Sequence, residues 1–115
     1  MIYDALTIAE YIIYFANLKK SPISNLKLQK ILYFNQAEFL VMKGVPCFND
    51  EIEAWDFGPV VPKVYRKYKI YGSGDIPSDI SISFSILEED KKMISEVVFA
   101  LVNSAKDSIK TEFNM

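Results

Sequence analysis

The chain has 115 residues, half of them apolar, with 13 Lys and Arg against 15 Asp and Glu and a net charge of −2. That length suits one domain with a real core, and an acidic balance is the wrong sign for a dedicated phosphate-binding module. There is no histidine and a single cysteine, Cys47. This excludes an internal disulfide and a Cys/His metal cluster.

In chain order, the first element is a helix. Thr7 and Glu10 fit a capping box and Ile8, Ile12, Phe15 and Ala16 share a face, while Asp4 offers an alternative, earlier cap. The opening residues lack the basic n-region of a signal peptide. Lys19-Lys20-Ser21-Pro22 ends the helix, because the residue before Pro avoids the α region. A second helix is predicted from about Asn25 to Lys43, closed by Gly44. Leu28, Ile31, Leu32, Gln36 and Phe39 form one stripe on it, and Tyr33, Ala37 and Leu40 form another, which predicts packing on two sides. Gln29 and Gln36 lie seven apart on one face; they either cap backbone groups inside or contact a partner.

Residues 51–57 read as a short strand, Gly58-Pro59 as a turn, and Pro62 as the first residue of a third helix through Val64, Tyr65, Tyr68 and Tyr71. Residues 76–84 alternate Ile and Ser and read as the partner strand, with Ile80, Ile82 and Phe84 on one face. Ser85 to Glu88 resembles a second capping box, followed by an acidic first turn. Met93, Ile94, Val97, Val98, Leu101, Val102 and Ala105 then give a helical stripe. The expected fold is mainly α (α+β): one compact domain, residues 1–115, of about four helices with a small antiparallel β element. No apolar run approaches the ~18 residues of a membrane span, so the sequence reads as soluble and cytoplasmic.

The candidate chemistry is sparse. Cys47 lacks a histidine base, and its neighbours Pro46 and Phe48 predict burial. Asp50, Glu51, Glu53 and Asp56 carry oxygen ligands of the kind Mg²⁺ takes, but on a turn they read as solvated charge. Gly72 and Gly74 lack the pattern of a phosphate loop. The expectation is a non-enzyme with no cofactor, no metal and no catalytic residue. Lys63, Arg66, Lys67 and Lys69 interleave with Tyr65, Tyr68 and Tyr71, a pattern that suits either single-strand stacking or an amphipathic helix with Tyr inward. A second basic set is Lys19, Lys20, Lys27 and Lys30, and the acids cluster at 50–56 and 88–90. Separated charge of this kind orients a protein partner. Trp55 and Arg66 are types enriched at binding hot spots, with Trp55 expected in the core and Arg66 exposed.

The rarest residues fall in one stretch, Glu53 to Arg66, which holds the only Trp, the only Arg, Gly58, Pro59 and Pro62. It follows the run Leu26-Lys27-Leu28-Gln29-Lys30-Ile31-Leu32-Tyr33-Phe34-Asn35-Gln36 and the link Gly44 to Ile52. In this order and spacing the runs resemble the Panacea family of phage- and plasmid-associated antitoxin domains, also called SocA-like or GepA-like, over about residues 6 to 75. The resemblance marks Leu28, Tyr33, Trp55, Gly58, Pro59 and Pro62 as fold-defining. It implies an antitoxin that binds a cognate toxin; the residue types and helix faces read above make Arg66, Lys63, Lys67, Tyr65, Trp55, Gln29 and Gln36 the candidate contact residues. Relatives continue past the last helix into segments with Thr-His and Pro-Trp pairs, which Asn103 to Met115 lacks, so the end from about residue 103 reads as shortened or diverged. A nucleic-acid-binding regulator with weak operator contact, or a phage scaffold or adaptor, are the alternatives.

Overall fold

The computed structural model describes residues 2–78 and 83–103. Its elements are α1 (Ala5–Leu18), α2 (Asn25–Lys43), β1 (Glu53–Trp55), β2 (Gly58–Val60), α3 (Pro62–Tyr68) and α4 (Glu88–Asn103), with one 3₁₀ turn at Lys69–Tyr71. This is the expected mainly helical fold with a small antiparallel hairpin. Helices α1, α2 and α4 pack on one another, and α3 closes the side formed by α1 and α2. The core between them is aliphatic: Ile8, Ile12, Leu28, Ile31, Leu32 and Ile94 are all fully buried.

Local chemistry sets the helix limits. Asp4, rather than Thr7, caps α1, its carboxylate accepting from the Leu6 N–H. Ser24 caps α2 by accepting from the Lys27 N–H. At the other end Gly44 takes φ +72°, the left-handed conformation that lets a helix stop without strain. Pro62 opens α3 at the position where a missing N–H costs nothing. The expected cap at Ser85 is displaced: α4 begins at Glu88, and the Leu87 carbonyl accepts from the Asp90 and Lys91 N–H groups.

The partner of β1 also differs from the expectation. β1 pairs antiparallel with β2, immediately after a two-residue turn, in the register Glu53 with Val60, Ala54 with Pro59 and Trp55 with Gly58. Gly58 makes this possible by adopting φ +121°. Of the segment 76–84, residues 79–82 lie outside the described residues, and 76–78 and 83–84 are not strand. Ile76 is tied instead to the loop before α2, its N–H donating to the Ile23 carbonyl. Asn17 donates to the Ile76 carbonyl, so both backbone groups of Ile76 are used in holding it against the helices.

The second stripe on α2 does not pack as expected. Leu28, Ile31, Leu32 and Phe39 are buried, but Tyr33 and Leu40 stand at the surface. On α4, Ile94 and Val98 are buried and Met93, Leu101 and Val102 pack partly against the core; Ala105 lies outside the described residues.

Candidate functional site

The two distinctive runs of the sequence meet in space through polar side chains. Gln29 is 2% exposed; its Oε1 accepts from the Val61 N–H at 2.9 Å and its Nε2 donates to Asn25 Oδ1. Asn25 in turn donates to the Tyr65 carbonyl. The chain leaving β2 and entering α3 is thus held onto α2 by a relay of amides. One turn pair further along, Gln36 Oε1 accepts from the N–H groups of Cys47 and Phe48, and its Nε2 donates to the Phe48 carbonyl at 2.7 Å. Of the two uses left open for Gln29 and Gln36, the geometry engages both with backbone inside the protein. Asn35 is the contrast: it is fully buried and its Oδ1 has no partner among the described residues, although its Nδ2 donates to the Ile31 carbonyl.

Two of the candidate cations are also engaged within the molecule. Lys63 lies 2.9 Å from Asp50 and 3.2 Å from Asp4, bridging α3 to the start of α1. Burial alone would raise the Asp50 carboxyl, but Lys63 and the Ala5 N–H outweigh it and hold it below its ordinary value. Lys67 lies 3.4 Å from Glu10, one turn along α1. The basic face of α3 is therefore largely answered by an acidic face of α1. Arg66 is exposed and forms no ion pair among the described residues.

Trp55 is not in the core. It is half-buried, and its indole N–H donates to Glu53 at an exposed position. Its ring meets Tyr65 at 5.2 Å and Phe57 at 5.7 Å, both edge-to-face, and Phe57 meets Tyr65 at 5.7 Å. Phe57, at the tip of the hairpin, is 42% exposed. Three aromatic rings thus form one surface cluster across the hairpin and α3, with Arg66 next to Tyr65 in the chain. Surface aromatic rings, and an exposed guanidinium on the same short helix, are residue types enriched at interface centres. It holds no nucleophile and no base.

Sequence reasoning missed one polar centre. Asp90, expected in the acidic first turn of the last helix, is 1% exposed. It accepts from the Tyr3 hydroxyl at 2.6 Å and pairs with Lys43, and the same hydroxyl accepts from the Leu87 N–H. Burial works against the charged carboxylate, yet Lys43 and Tyr3 keep Asp90 below its ordinary value. The signal available was weak: Lys43 ends α2 and Tyr3 precedes α1, and nothing local links either to residue 90. Cys47 is fully buried, and burial pushes its thiol up to about 12, so it stays protonated and unreactive. Among the described residues no helix is long and apolar enough to cross a membrane.

A family model described as "Antitoxin SocA-like, Panacea domain" matches residues 28–111. A protein named Antitoxin SocA, from Caulobacter vibrioides (strain NA1000 / CB15N), is 49% identical over 69 residues, which cover 60% of this chain and 37% of that protein. The chain thus aligns with little more than a third of its relative's length. No solved structure matches.

Proposed function

This chain belongs to the family of SocA-like antitoxins with a Panacea domain, and from that premise we propose that it neutralises a cognate protein toxin by direct binding in the cytoplasm, without catalysis. The observation that carries the mode of binding is the surface cluster of Trp55, Phe57 and Tyr65, with exposed Arg66 following Tyr65 on α3. These side chains are large, and the fold leaves Phe57 and Arg66 exposed and Trp55 and Tyr65 only half-buried, so part of their area is available to a partner. Lys63, Lys67 and Gln29 support that face from behind, through ion pairs to Asp4, Asp50 and Glu10 and a hydrogen bond to the Val61 N–H, while Gln36 holds the link at Cys47 and Phe48. These four act by placing backbone and α3 rather than by touching the toxin.

Operator DNA is the less favoured target. The pairing of Lys63 and Lys67 with carboxylates removes two of the cations that a phosphate-binding helix would need, and the net charge is −2. The test is co-expression with the product of the neighbouring gene. Growth restored by this protein, and not by an Arg66→Ala/Phe57→Ala double variant that folds normally, supports the reading. A neighbour that is harmless alone, or stays toxic with this protein in excess, removes it.

A further inference from the structure

We propose that the outer edge of β1 is a strand-addition site for an extended, basic segment of the partner. The identity of that partner as a toxin rests on the reading above; the mode of contact rests on the hairpin itself. Pro59 stands opposite Ala54 and has no N–H to donate. The ladder bonds therefore run through the flanking pairs, Glu53 with Val60 and Trp55 with Gly58. By the alternation of an antiparallel pair, the N–H and C=O of Ala54 point away from β2. Neither group meets a described residue, and the Ala54 side chain is exposed. It is β2 that lies against α2, so β1 is the open side of the hairpin.

An open edge pairs with any extended chain that fits, and natural proteins control which by charge. Glu51, Glu53 and Asp56 run along this edge, all exposed and none in an ion pair among the described residues. Three carboxylates repel a second copy of the same edge and attract lysine and arginine. A second copy of this chain is thus the wrong occupant, and a cationic strand is the right one. Alternate side chains of that strand face the Trp55 side of the hairpin, where an apolar residue would extend the aromatic cluster. Backbone bonds to Ala54 supply affinity, and the acids and aromatics supply selection.

The probe is a synthetic peptide of about ten residues alternating lysine with valine, titrated into the full chain and followed by amide NMR. The expected result is a shift of the Ala54 amide and the Trp55 indole signals, slower hydrogen exchange at Ala54, and no such response to the glutamate–valine counterpart. Ala54→Pro removes only the outward N–H, which an edge strand tolerates, so the variant should keep its melting temperature and bind about tenfold more weakly. Shifts that miss Ala54, or an Ala54→Pro protein with undiminished affinity, would overturn strand addition. In cells the two readings separate. If Arg66→Ala/Phe57→Ala loses protection while Ala54→Pro keeps it, the antitoxin face stands and the strand edge falls; if Ala54→Pro also loses protection, both stand.

Discussion

The run from Leu26 to Gln36 and the stretch from Glu53 to Arg66 are equally distinctive in sequence, and the fold uses them in opposite senses. In the first, polar residues go inside: Gln29 and Asn35 are buried, and Gln36 reaches a strap of backbone at Cys47 and Phe48. In the second, aromatic residues stay at the surface: Phe57 is exposed and Trp55 only half-covered. The difference teaches that residue type does not decide burial here. The link at Cys47 and Phe48, and Val61 at the junction of β2 and α3, run beside α2 with backbone N–H groups that the hairpin ladder does not serve, and a buried N–H must be paired. Glutamines on the facing helix do this, and hydrophobic residues could not. The aromatics face no such requirement and stay at the surface, packed on one another.

The largest expected effect breaks the inner half of the comparison. Gln36→Leu strips the partners from the N–H groups of Cys47 and Phe48 and from the Phe48 carbonyl at once. With about 1–3 kcal/mol for each buried group left unpaired, the loss should reach about 3 kcal/mol or more, read by chemical denaturation. Gln29→Met, close in volume, leaves the Val61 N–H and Asn25 Oδ1 without partners and should cost about 2 kcal/mol. If either variant is as stable as the parent, the internal staples are not what fixes the two segments.

An intermediate effect concerns the centre built on Asp90. Its folded-state carboxyl lies below the ordinary value while the unfolded one does not, so its contribution is present above the unfolded value of about 4 and is lost as pH falls through the lower folded value. Denaturation midpoints followed from neutral to acid pH should therefore drop in that window. Asp90→Asn should be less stable at neutral pH by about 1–3 kcal/mol, and its midpoint should fall less on acidification. Parallel curves for the two proteins would remove Asp90 from the account. The smallest effect on stability belongs to Arg66→Ala. It should change stability by less than about 0.5 kcal/mol yet weaken toxin binding by about 1 kcal/mol or more, seen by comparing a melt with a titration.

Much of the architecture was legible in the sequence. The span of α2 follows from Leu28, Ile31, Leu32 and Phe39 and from Gly44, because periodicity and a left-handed stop are local properties. Pro62 announced α3 in the same way. Pairing was harder to read. The strand after Gly58 is only three residues long and contains Pro59, so it reads as a turn, whereas the longer Ile/Ser alternation at 76–84 looks like the better partner. The candidate site was legible as a stretch but not in its roles. Lys63 and Lys67 look like partner contacts until Asp4, Glu10 and Asp50 are brought beside them, which only the tertiary fold does. Trp55, expected in the core, is met by Tyr65 and Phe57 at the surface instead.

Trp55→Ala tests most directly whether the aromatic face serves a partner rather than the fold. A ring in the core would cost about 3–5 kcal/mol to remove, whereas an aromatic contact at the surface is worth about 1 kcal/mol. At about 4–8 °C per kcal/mol for a domain near this size, a thermal melt separates the two. The account expects Trp55→Ala to be soluble, to melt within about 8 °C of the parent, and to fail to protect cells from the toxin. A protein that is insoluble or melts far lower would make Trp55 a structural residue, and one that melts normally and still protects would contradict the proposed face.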